Sequence, residues 1–255
     1  MDHGQMPNPP ASRFATPLLA VIGLSVVLGA CSARVDNLLS GTPSLATAQV
    51  ALAGGSNDVA LNICDGLLVK EPLNPKVLVC RGDALAGLGR GTEAMVSFQR
   101  ALQIDSRSPG AMIGLGRVEL QTDPARAEQV FLAALEIDPR DAVALNNLGI
   151  ARDLQGRHAD AQVAYGGAIA AAPGMRGAQV NLALSLAMSG KAGEAVRIMR
   201  PIAALPDASE RERHDFAAVL AMDGKPDEAA QVLRTDLNAT QSDEAIAGFR
   251  SLQAR

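Results

Sequence analysis

The chain has 255 residues, 48% of them hydrophobic, with only 2% aromatic and no Trp. Its apolar mass is mostly Ala, Leu and Val, which suits closely approaching helices better than a β-sandwich. The formal net charge of −4 offers no basic field to a nucleic acid, which argues against a DNA or RNA partner.

Residues 1–30 read as an address rather than as fold. Arg13 supplies a positive n-region, and Leu18 to Leu28 is an eleven-residue apolar run, shorter than the ~20 residues of a spanning helix. Leu28-Gly29-Ala30-Cys31 follows. Small residues directly before a cysteine at the end of such a run resemble a bacterial lipobox. The resemblance implies cleavage before Cys31, diacylglycerol on its thiol and acylation of the new amine. Each buried acyl methylene contributes about 0.8 kcal/mol, so several chains hold a protein firmly on a membrane. Ser32 stands where an Asp often marks inner-membrane retention in enteric bacteria, which favours the outer membrane. An ordinary secretory signal with Cys31 incidental is the plainer alternative, and Met6 is an alternative start. Residues 31–45 are then the acylated cysteine and a tether, and 46–255 the folded part.

From there a period governs the chain. Ala60, Ala94, Ala127, Ala161, Ala195 and Ala229 recur at a nearly constant interval of about 34 residues, the signature of stacked supersecondary units. The first unit, 41–74, keeps only Gly55, Ala60 and Pro72 of the shared phrase. Residues 75–108 carry Leu78, Gly82, Leu85, Gly89, Ala94, Phe98 and Ala101. Residues 109–141 carry Met112, Leu115, Gly116, Ala127, Phe131, Ala134 and Pro139, one residue short near the interhelical turn. In 142–175, Leu145, Leu148 and Gly149 lie on a first helix that Gly156 ends. Ala161, Tyr165 and Ala168 share one face of a second helix, which Pro173 stops. Units 176–209 and 210–237 follow more loosely, with Leu182, Gly190, Ala195 and Met199, then Phe216, Leu220, Gly224, Ala229 and Leu233. Residues 238–255 are predicted to cap the open end with a helix from Asp243 to Leu252.

These phrases resemble the tetratricopeptide repeat, a helix–turn–helix unit of the same period. The fold class expected is an all-α solenoid of about six repeats plus a cap. Arg81 and Arg152 depart from the pattern, because the family usually places a large apolar residue there.

Cys64 and Cys80 fall on the second helix of one unit and the first helix of the next. In an oxidising compartment such a pair admits a disulfide; otherwise the two are buried small apolar residues.

Chemistry is hard to find. His158 and His214 lie far apart and neither has a His or Cys at zinc spacing. His158-Ala159-Asp160, like Glu93, Glu194 and Glu228, reads as the acidic start of a helix. Gly87-Leu88-Gly89-Arg90-Gly91 follows a helix, not a strand, and lacks the Lys-Ser/Thr of a phosphate loop. It is read as a turn, as are Ser189-Gly190-Lys191 and Asp223-Gly224-Lys225. Asn238-Ala239-Thr240 fits a glycosylation sequon by chance. No catalytic group, cofactor, metal or small-molecule substrate is expected.

In tetratricopeptide arrays the first helices line a concave groove that holds extended segments of partners. Carried over, the resemblance makes Asp83, Arg117, Asn146, Ile150, Asp153, Val180 and Leu184 the candidate liners. The set lacks the Lys/Arg cluster that clamps a C-terminal carboxylate in some members. Asn181-Leu-Ala-Leu-Ser-Leu-Ala-Met-Ser-Gly-Lys, Arg200-Pro-Ile-Ala, Gly224-Lys-Pro-Asp-Glu-Ala-Ala, Asn146-Asn-Leu-Gly and Gly156-Arg-His-Ala, together with the lipobox, resemble the TadD-like lipoproteins of the tight-adherence (Tad/Flp) pilus machinery. That implies a periplasm-facing outer-membrane lipoprotein that helps assemble or place the pilus secretin by binding. The rival expectations are an adaptor for a protease or peptidoglycan hydrolase, and a pilotin of another type IV pilus.

Overall fold

The computed structural model describes residues 43–253, with side chains to 249. The lipobox, Cys31, the apolar run and the alternative start at Met6 lie outside the described residues. Thirteen α-helices follow one another among the described residues. Six pairs make up the repeats: α1 Leu45–Ala53 with α2 Asn57–Lys70, α3 Pro75–Gly87 with α4 Gly91–Ile104, and α5 Pro109–Glu119 with α6 Pro124–Ile137. The series continues with α7 Ala142–Leu154 and α8 His158–Ala171, α9 Arg176–Met188 and α10 Ala192–Ala203, and α11 Glu210–Met222 and α12 Pro226–Leu233. The last helix is α13, Ala239–Gln253.

Side-chain caps start many of these helices. Ser44 and Thr47 form a reciprocal capping box on α1, and Ser209 and Glu212 another on α11. Asn74 and Asp141 each accept two backbone N–H groups at the starts of α3 and α7. Such caps satisfy donors that a helix start otherwise leaves orphaned. The turn after α7 needs a left-handed residue, which Gly156 supplies at φ 73°. The third repeat, one residue short, does without it. There α5 ends at Glu119, and Asp123 takes over by capping Arg126 N of α6.

The last helix begins at Ala239, four residues before the expected Asp243. Asn238 is the reason: its side chain accepts from Gln241 N, and its backbone N–H donates to the Gln241 side chain. The sequon asparagine is a helix cap.

All six ladder alanines are fully buried, and each sits where a second helix crosses its partner. Aromatic rings fill the neighbouring notches. A Cβ added at Gly82 or Gly114 would meet the Phe98 ring at 2.5 or 2.3 Å, and one at Gly116 would meet Phe131 at 2.5 Å. The two arginine departures are explained by partners across repeat joints. Arg81 donates to Asp65 and to Ser97, both at 2.7 Å. Arg152 donates to Glu128 at 2.9 Å, and Gln155 and Arg157 reach the other oxygen of the same carboxylate.

Cys64 and Cys80 are both buried, unbridged and 2.6 Å apart at sulfur. Contact with Cys80 and burial together raise the Cys64 thiol above its ordinary value.

Candidate functional site

Successive first helices touch one another along the array: α1 with α3, α3 with α5, α5 with α7, α7 with α9 and α9 with α11. Successive second helices of the repeats make no comparable contact among the described residues. The first helices are therefore the tighter, inner layer, and the face they share is the place to look for a partner.

Among the described residues, two hollows open there. The first, of about 180 Å³, lies between α3 and α5, with Phe98 and Gly114 in its wall and Asp83 and Arg117 on its two sides. Burial pushes the Asp83 carboxyl up to about 6, against the pull of the Arg117 guanidinium. No ion pair joins the two among the described residues. The second hollow, of about 400 Å³, is lined by Ile150, Val180 and Asn181 together with Arg211, Glu212 and Asp215. Burial also raises the Asp215 carboxyl, with Arg211 and His214 pulling the other way. Each hollow combines apolar wall, an incompletely paired carboxylate and an exposed guanidinium. That combination suits an extended polypeptide, which brings both donors and acceptors.

Of the seven liners expected from sequence, the structure brings Asp83 and Arg117 into the first hollow and Ile150 and Val180 into the second. Asn146 is buried beside the second hollow, where its side-chain oxygen accepts from Asn181 at 2.9 Å. Leu184 packs against the core cluster of the fifth and sixth repeats. Asp153 has its carboxylate turned inward. One oxygen accepts from Ser185 and stands 2.8 Å from His158 Nδ1, and the other accepts from the Tyr165 hydroxyl at 2.9 Å. A carboxylate taken up by three neighbours ties the fourth repeat to the fifth.

Asn181, Arg211 and Asp215 line the second hollow and were not expected. Repeat register relates Asn181 to Asp215 but none of the three to any expected liner. Arg211 lies one full repeat after Gly177, and Asp215 one after Asn181, which in turn follows Asn147 by the same interval. Among the described residues no three His, Cys, Asp or Glu side chains stand together as metal ligands.

Residues 45–111 and 130–163 match family models that are both described as tetratricopeptide repeat. Those two stretches are tetratricopeptide repeats, and the array as a whole is an all-helical solenoid of that fold. The sequence is 38% identical over 111 residues to the Protein CTR9 homolog of Arabidopsis thaliana, a stretch that is 42% of this chain and 10% of that protein. The chain spans between 10% and 22% of the length of the curated relatives it matches. Among solved structures, PilW, a widely conserved type IV pilus biogenesis factor, is similar with a TM-score of 0.66 and 21% identity, over 74% of this chain and 90% of its own. A tetratricopeptide repeat protein from Parabacteroides merdae is similar with a TM-score of 0.63 and 16% identity, over 83% of both chains. At these identities the likeness to solved structures is one of fold.

Proposed function

We propose that this chain is a non-enzymatic scaffold whose inner face holds an extended segment of a protein partner during assembly of a Tad/Flp-type pilus or secretion apparatus, where it helps assemble or localise the secretin. The observation that carries the binding part is the second hollow, where Ile150 and Val180 provide apolar wall beside Asn181, Arg211 and Asp215. Support for the pilus part is the TadD-like sequence phrases, and the fold shared with PilW points the same way. In this reading Cys31 carries the lipid, residues up to about 45 tether, and the array recruits from the periplasmic face of the outer membrane. The PilW likeness also favours a second reading, in which the scaffold serves a type IV pilus of another class.

The test uses a soluble Cys31→Ser chain as bait in native membrane extracts, beside the same bait carrying Arg211→Glu. The Arg211 side chain is 89% exposed, so reversing its charge leaves the fold in place. Capture of a secretin by the first bait and its loss with the second is the expected result. Equal capture by both overturns the groove assignment. Normal piliation and adherence after deletion of the gene overturns the pilus reading.

A further inference from the structure

The repeat register places the two buried cysteines at a particular joint. Phe98 is the knob of the second repeat, its ring held between Gly82 of its own first helix and Gly114 of the next. Gly82, Phe98 and Gly114 each have a counterpart one full repeat earlier: Ala48, Cys64 and Cys80. The counterparts also pack together, in one buried cluster with Val77. Where the second joint inserts a ring between two glycines, the first joint sets one sulfur against another. Ala48 and Cys64 are fully buried and Cys80 is 3% exposed.

This joint has the smallest knob of the six repeats, a cysteine where the later ones carry Phe, Tyr, Met or Leu, and α1 has 9 residues against 13 in α3. Among the described residues the first repeat also has a neighbour on one side alone, and a repeat unit depends on its neighbours to bury its face. The sulfurs meanwhile are 2.6 Å apart, about 0.5 Å beyond a covalent S–S length. We propose that Cys64 and Cys80 form a disulfide that staples the first repeat to the second, in place of the aromatic knob used further along.

The oxidant is a disulfide of the thiol-exchange class, either a protein disulfide or a small-molecule one. It acts before α2 docks on α3, since the closed joint leaves neither sulfur exposed. One cysteine thiolate attacks the oxidant, forming a mixed disulfide and expelling a thiolate. The second cysteine then attacks the sulfur of the first and expels the remaining thiolate. The two cysteine protons end on the two expelled sulfurs. One S–S bond is formed in the chain and one is broken in the oxidant.

The staple is independent of the partner and of the pilus. The full chain, purified without reductant, is denatured, alkylated and cut with trypsin. The expected result is a fragment ending at Lys70 joined to Val77–Arg81, with neither Cys64 nor Cys80 alkylated. Recovery of both as alkylated thiols overturns the proposal. Hydrogen exchange then tests the staple itself. Reduction is expected to speed exchange in α1 and α2 by roughly tenfold or more while leaving α7 to α10 unchanged. A bridge whose reduction leaves α1 and α2 as protected as before overturns its role as a staple.

Discussion

The ring of Tyr165 occupies the space that a side chain at Gly149 would need: a Cβ there would meet the ring at 2.4 Å. The ring cannot retreat, because its hydroxyl donates to Asp153 at 2.9 Å. Burial and that carboxylate together hold the hydroxyl far above the ordinary tyrosine pKa. Glycine and aromatic are thus one packing unit. Further along, the knob and the notch change size together. Met199 and Ala183 stand one repeat after Tyr165 and Gly149, and Leu233 and Ala217 one repeat further on, all buried in one cluster. A smaller knob is matched by a larger notch residue, as close packing requires.

Gly149→Ala is therefore expected to destabilise the array by up to about 2 kcal/mol, because overpacking costs about 1–3 kcal/mol and is offset in part by the roughly 1 kcal/mol gain in helix propensity. Gly166→Ala, in α8, is the control. A Cβ there meets nothing within 4 Å, so only the propensity gain remains and the variant is expected to be more stable by about 0.5–1 kcal/mol. Thermal melts of the two single variants check this by the opposite signs of their shifts. Equal shifts would count against the notch.

The joint between the third and fourth repeats rests on a charge instead. The Glu128 carboxylate is nearly buried and takes donors from Arg152, Gln155 and Arg157. Burial raises its pKa, but the Arg152 and Gln155 hydrogen bonds and the two arginine charges outweigh that, so the net shift is downward. Glu128→Gln keeps the shape and removes the charge, leaving Arg152 partly buried opposite a neutral amide. The expected cost at pH 7 is about 1–3 kcal/mol, less than for a fully buried pair because Arg157 is half exposed. A depressed carboxylate stabilises above its unfolded value, about 4.3, and loses that contribution as pH falls through the folded value. The gap between wild type and variant in denaturant melts should therefore close in acid, and a gap constant down to pH 3 would refute the charge argument.

The alanine ladder and the turn glycines were legible because each repeat presents the same problem to the same position: a close helix crossing or a left-handed turn. Arg81 and Arg152 looked like breaks in the pattern because their partners are not local. Asp65, Ser97 and Glu128 lie 16, 16 and 24 residues away in sequence, across an interhelical turn or a repeat joint. The internal partners of Asp153 were hidden for a related reason. Its position points it towards the inner face, but Ser185 from the next repeat and Tyr165 from the next helix draw the carboxylate inward. Register tells which side of a helix a residue is on; it does not tell which neighbours will claim its polar atoms. The early start of α13 shows the same limit on a smaller scale, since Asn238 fits a sequon or a cap equally well until Gln241 is seen to answer it.

Asp83 carries the last expectation, in which stability and binding have opposite signs. Its carboxyl is pushed up to about 6 by burial in the first hollow, and Arg117 opposes the shift without cancelling it. An acid whose folded pKa is raised stabilises the fold while protonated. That contribution is fully present below the unfolded value of about 3.9 and is lost as pH rises through 6. At neutral pH the ionised Asp83 therefore costs the array about 3 kcal/mol. Asp83→Asn removes the titration but keeps the size. It is expected to match wild type near pH 4 and to be more stable than wild type at pH 7.5 by the whole of that cost, as read from melting curves across the range. Taking the difference between the two proteins removes the opposite contribution of Glu128. If the first hollow receives a donor group from a partner, the same substitution weakens capture while it stabilises the fold, so the more stable protein would bind less. A variant that is no more stable at pH 7.5 would show that Asp83 is solvated rather than held in the hollow, and one that is more stable but binds unchanged would confine the partner to the second hollow.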